Sequence, residues 1–337
     1  METTAIGSLP HHNIDSALEY AFGYSIPFLP QIPLRNPWEY MIPQALEGLP
    51  GLEAEGDGAT FLNVSVWVGR CKAFQEKMDA AFSSNHTDAF SSFEPTAATW
   101  SSWQPFLWEL EERGVKTAKI QIAGPLTSQW SIRTKDGTSP DQHPEIGSQI
   151  FRLILARSIA MSRRLLSAKI QPLLYLDEPG LYAFDPTNPR HILTLNELKL
   201  LIAALKKEGV LVGLHCCSNT HWESVLGLGL NVLSIDTRLS LTELLKRRDA
   251  LQGFYKKGGR LSLGVIPSER GPELVKALHA PALFSQLQET FADTPHSNEI
   301  LRSAIYTPAC GLAFHSTEDT ELIRTELERL RSLPLTN

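Results

Sequence analysis

The sequence predicts an α/β protein, a (β/α)8 TIM barrel with an insertion after the second strand, and three observations predict it. Short apolar runs alternate with longer amphipathic segments along most of the 337 residues. Eight such runs are present, and repeated β-α units imply parallel strands that eight units close into a barrel. No Gly-x-Gly-x-x-Gly turn follows the first run, which removes the usual reason to prefer an open, doubly wound sheet.

The elements follow in order. Strands are expected at 3–8 and 26–31. Residues 34–114 break the alternation with Gly-rich and Ser-rich stretches and a β-like run at 61–68. They read as an insertion or lid within one domain spanning 1–337. A helix near 103–113 stops at Gly114 and feeds a strand at 115–123; a long helix near 145–167 feeds 171–176. Over 195–208, Leu198, Leu201, Ile202 and Leu205 fall at i, i+3, i+4 and i+7, the spacing of one apolar helix face. Gly209 stops that helix, and 210–214 follows as a strand buried on both sides. Helices at 221–229 and 240–257 feed strands at 231–235 and 260–266. A helix at 281–293 leads to a strand at 301–307, and 318–332 reads as a closing helix.

Composition narrows the function classes. With 42% hydrophobic and 20% charged residues, the chain has ample material for one large core. A net charge of −6 argues against a nucleic-acid partner, which calls for a basic face. No apolar run approaches the ~20 residues that span a bilayer, and Met1-Glu2-Thr3-Thr4 opens no signal peptide. The expectation is a cytoplasmic protein with neither nucleic-acid nor membrane partner. The four cysteines, Cys71, Cys216, Cys217 and Cys310, are too few for a disulfide scaffold.

In a barrel of this kind chemistry gathers where strands end. The expected strands end in Gly7-Ser8-Leu9-Pro10-His11, in Pro30-Gln31-Ile32-Pro33, in Gly124-Pro125-Leu126-Thr127 and in Asp177-Glu178-Pro179. The remainder end in His215-Cys216-Cys217, Asp236, Pro267-Ser268 and Pro308-Ala309-Cys310-Gly311. A lone His-x-Cys pair is more often packing than a ligand set, so the convergence is what counts. His215 and Cys217 stand two apart on a strand and point to one side, while barrel closure brings Cys310 to the same centre. Two thiolates and an imidazole suit zinc, with one position left open for water or substrate. Cys216 and Cys71 read as packing.

The order of these motifs resembles the C-terminal catalytic domain of cobalamin-independent methionine synthase, within the uroporphyrinogen decarboxylase-like superfamily. The resemblance runs from Ile6-Gly7-Ser8-Leu9-Pro10 to Thr307-Pro308-Ala309-Cys310-Gly311-Leu312 and is weak across 34–114. It implies a zinc ion held by His215, Cys217, Asp236 and Cys310, with Asp236 standing where the family carries Glu. It implies that Ile6, Gly7 and Ser8 meet the carboxylate of homocysteine and that Asp177, the candidate catalytic carboxylate, holds the substrate amine. Gln31 joins that substrate-binding set. The implied reaction is methyl transfer to a thiol, homocysteine to methionine. The stretch 264–269 holds no His to protonate a folate leaving group, and the sequence has no counterpart of the folate enzyme's N-terminal domain. Both features point to a methyl-corrinoid, free or on a carrier protein, ahead of a methyl-folate. Transfer from a methylcobamide to another thiol and a non-catalytic zinc- and ligand-binding role are the alternatives.

Overall fold

The computed structural model describes residues 1–135, 137–138 and 144–334. Its strands are β1 (Glu2–Thr3), β2 (Leu52–Ala54), β3 (Thr60–Leu62), β4 (Thr117–Ala123), β5 (Arg133–Thr134), β6 (Gln171–Asp177), β7 (Leu211–Cys216), β8 (Val232–Asp236), β9 (Arg260–Ile266) and β10 (Ile305–Pro308). Seven of them form one parallel sheet in the order β1-β10-β9-β8-β7-β6-β4.

That sheet corrects the expected closed eight-stranded TIM barrel. It is a half-barrel, open, with its edges β1 and β4 10 Å apart. The gap is about twice the spacing of neighbouring strands, the width of one missing strand. Residues 26–31 run there but make no ladder. They touch each side through single residue pairs, Phe28 with Lys119 and Gln31 with Ser8. The physical reason is in their composition. Pro27 and Pro30 interrupt the segment and Pro33 follows it, and proline offers no N–H to a ladder. On the other side, β1 stops after Thr3. A few backbone bonds remain, among them Lys119 N to Pro27 O at 2.8 Å and Gln31 N to Gly7 O at 3.0 Å.

Other expectations shift locally. The β-like run at 61–68 is a strand only as far as Leu62. Asn63 accepts a hydrogen bond from Val66 N and caps a helix that runs from Val64 to Ser83. That helix buries Trp67, Phe74, Met78 and Ala81, a helical spacing that outweighs the alternation of its first residues. The strand expected at 301–307 begins at Ile305, after the helix Ser297–Ser303. The helix expected at 240–257 is two, Thr237–Leu245 and Arg248–Lys256. Within the inserted region, β2 and β3 form a second sheet with β5, a strand from beyond the insertion.

The parallel strands bury both faces. Outward residues such as Ile120, Leu174, Leu214, Leu233 and Leu263 join the helices in the main core. Inside the curve, Ile26, Leu173, Tyr175, Val232 and Ile305 form a smaller apolar plug. Beyond that plug, toward the strand ends, the inner face turns polar. Among the described residues, no helix is long and apolar enough to cross a membrane.

Candidate metal centre

The inner face of β7 carries Gly213 and His215, and Cys217 follows one residue past the strand. A Cβ on Gly213 would lie 2.5 Å from the Tyr175 ring, so glycine admits that ring across the strand. In register, Asp177, His215 and Ser234 lie side by side on β6, β7 and β8. His215 Nδ1 lies 3.0 Å from Ser234 Oγ, while its buried Nε2 has no hydrogen-bond partner among the described residues. Ligating histidines characteristically commit one ring nitrogen to such a partner and present the other to the metal.

Cys310 arrives from the end of β10, where the register breaks between Thr307 and Pro308. Ligand atoms of His215, Cys217 and Cys310 all lie within 4.8 Å of one another. A tetrahedral zinc ion sets N and S ligands roughly 3.4–3.8 Å apart, so no pair needs to contract by more than about 1.4 Å. The neighbouring Cys310 thiol and then the His215 ring hold the Cys217 thiol well below the usual range, and the same closeness to Cys217 holds Cys310 well above it. Cys216 points the other way, fully buried; burial pushes its thiol up to about 12, and it donates to Ser218 O at 3.2 Å. Cys71 lies half-buried on the helix Val64–Ser83, far along the chain from this cluster.

Asp236 stands apart from the three. Its Oδ1 accepts from Arg238 N at 2.9 Å and Leu239 N at 3.4 Å, capping the helix Thr237–Leu245. Burial raises its pKa, with the helix amides opposing that shift. The cap commits one of its oxygens to the backbone.

Asp177 ends β6 with 8% of its surface exposed and Oδ1 unpartnered among the described residues. Burial raises its carboxyl to about 6, against the pull of Lys119 and His215. Glu178, its neighbour, is wholly buried and structural. It accepts from Leu126 N at 3.1 Å, Thr127 N at 2.7 Å and Thr127 Oγ1 at 2.6 Å, at the start of the helix Pro125–Ser131. A Cβ on Gly124 would lie 2.0 Å from Glu178 Oε1. The Gly-Pro-Leu-Thr and Asp-Glu-Pro motifs are therefore two halves of one interlocked turn.

The segment 6–8 forms another wall. The amides of Ile6, Gly7 and Ser8 donate no hydrogen bond among the described residues. Leu312 N donates to Ser8 O at 2.8 Å, so this turn abuts the chain that carries Cys310. Gln31 is buried, and its Nε2 donates to Gln44 Oε1 at 2.7 Å, tying it to the inserted region. His315 Nε2 lies 3.0 Å from Glu269 O, placing an imidazole against the stretch 264–269.

Lys119 and Gln121 escaped the sequence reading. Both lie on the inner face of β4, and Lys119 is 0% exposed. Its Nζ donates to Ile6 O at 2.6 Å and Gln121 Oε1 at 2.9 Å and sits 4.7 Å from the Tyr175 ring centre. Burial lowers the ammonium to about 7, with Asp177 opposing. The signal was present: two polar residues at alternate positions of an otherwise apolar strand must share one face.

No family model matches the chain, and no curated protein matches it. Among solved structures, a methyltransferase from Methanosarcina mazei is similar, with a TM-score of 0.49 and 12% identity over 98% of this chain and 95% of that one.

Proposed function

We propose that this chain is a zinc-dependent methyltransferase that activates a thiol, with homocysteine as acceptor and a methyl-corrinoid or methyl-folate as donor. The observation that carries the reading is the meeting of His215, Cys217 and Cys310 within 4.8 Å at the ends of β7 and β10. The donor set fits zinc: two sulfurs and one imidazole leave a position for a substrate sulfur, and the orphaned His215 Nε2 gains the partner it lacks. The resemblance to the methionine synthase domain supports the same assignment and supplies the acceptor.

When bound, zinc supplies the Lewis acidity that keeps a thiol deprotonated at neutral pH. The chain's own residues bind and orient. Ser234 fixes the His215 ring. Asp177 Oδ1 is free to accept a substrate ammonium, and the amides of 6–8 are free to meet its carboxylate. Glu178 pins the turn at 124–127 beside them. Catalysis by such a site is mainly positioning, which these contacts supply. Asp236 as a fourth ligand requires its uncommitted oxygen. His315, against the stretch where the sequence lacks a histidine, keeps methyl-folate beside methyl-corrinoid as donor.

The test is metal content. Wild type is expected to hold about one zinc per chain and Cys310→Ser markedly less. Equal zinc in both sinks the assignment. Zinc-loaded protein should then methylate homocysteine from methylcobalamin or methyltetrahydrofolate; turnover with neither favours the non-catalytic alternative.

A further inference from the structure

Lys119 and Gln121 take no part in the metal cluster, yet they are placed where the sheet fails to close. From the edge strand β4, Lys119 reaches the Ile6 carbonyl at 2.6 Å, and Gln121 Nε2 reaches the Leu29 carbonyl at 2.7 Å. The two side chains are joined to each other at 2.9 Å. Burying an ammonium is costly, and an apolar residue would suffice at 119 if filling space were all the seam needed.

The clasp acts on the turn at 6–8. A Cβ on Gly7, whose φ is +144°, would lie 2.5 Å from Gln121 Nε2, so the turn rests directly on that amide. In a planar trans peptide the carbonyl and the following N–H point in opposite directions. Anchoring the Ile6 carbonyl on Lys119 therefore turns the Gly7 N–H away from β4, where it donates no hydrogen bond among the described residues. On its far side the turn meets the chain of Cys310. Leu312 N holds Ser8 O at 2.8 Å, and a Cβ on Gly311 would lie 2.1 Å from Ser8 Oγ. The turn is wedged between the clasp and the backbone that follows Cys310.

We propose that Lys119 and Gln121 are positioning residues that aim the amides of the 6–8 turn at the carboxylate of an amino-acid thiol, and so make the site select such thiols over plain ones. The inference rests on the reading of 6–8 as the carboxylate subsite beside a metal that binds the substrate sulfur.

Cobalt(II)-substituted protein tests it without a methyl donor, because sulfur binding to cobalt changes its charge-transfer absorption. Wild type, Lys119→Met and Gln121→Met are titrated with homocysteine and with 2-mercaptoethanol. Wild type is expected to prefer homocysteine by roughly tenfold or more, the effect of one charge-assisted hydrogen bond. Both variants are expected to keep cobalt and wild-type affinity for 2-mercaptoethanol while losing most of that preference. Preference retained in both variants overturns the proposal and leaves the subsite reading standing. No preference in wild type overturns the subsite reading and the proposal with it. Loss of cobalt from both variants also overturns the proposal, since the pair then supports the metal cluster itself.

Discussion

The stretch of sheet from β6 to β8 and the seam between β1 and β4 both line the site, and they are held by different means. From β6 to β8 the backbone does the work: continuous ladders set Asp177 beside His215 and His215 beside Ser234. Across the seam the backbone contributes single residue pairs, and side chains supply much of the rest. Thr4 Oγ1 donates to Ile26 O at 2.9 Å, Ser102 donates to Pro30 O, and Lys119 and Gln121 reach Ile6 and Leu29. A ladder holds donors to the tolerance a metal requires, whereas a stitched seam can adapt to the shape of an organic substrate. Two of the three proposed ligands, His215 and Cys217, come from the ladder side; the turn at 6–8 belongs to the seam.

The contrast predicts separable effects. Ser234→Ala removes the partner of His215 Nδ1, and metal affinity should fall by roughly 10–100-fold, read by competition with a chelator. Unchanged affinity would break the claim that β8 orients the imidazole. Asp236→Ala loses a helix cap and should cost about 1 kcal/mol in urea unfolding, with metal affinity unaltered. A drop in affinity matching that of Ser234→Ala would make Asp236 a ligand instead. Thr4→Val keeps shape and removes one bond across the seam; thermal unfolding should report a loss of roughly 0.5–1 kcal/mol at constant metal content. A change in metal affinity from Thr4→Val would show that seam and ladder are not independent.

The ladder side was also the part most legible in the sequence. His-x-Cys on a strand projects to one side by the two-residue period alone, and the order of β-α units put Cys310 at another strand end facing the same centre, with β8 and β9 between. The seam is less legible: residues 3–8 and 26–31 resemble strands in composition, but Pro27 and Pro30 deny the second a ladder. Lys119 was hidden by its apolar neighbours, since a charge inside an apolar run is not where a sequence reading looks for chemistry. Asp236 is ambiguous for a different reason: a carboxylate between a strand and a helix suits both a metal and an N-cap, and only geometry distinguishes the two. Val64-Ser65-Val66-Trp67-Val68 alternates like a strand, and the Asn63 cap with later burial made it a helix.

X-ray absorption at the zinc edge tests the central claim most directly. Zinc-loaded wild-type protein should show two sulfur neighbours at about 2.3 Å and a nitrogen neighbour at about 2.0–2.1 Å, with a third sulfur appearing when homocysteine is added. A zinc environment of nitrogen and oxygen alone, or one indifferent to homocysteine, would contradict the account.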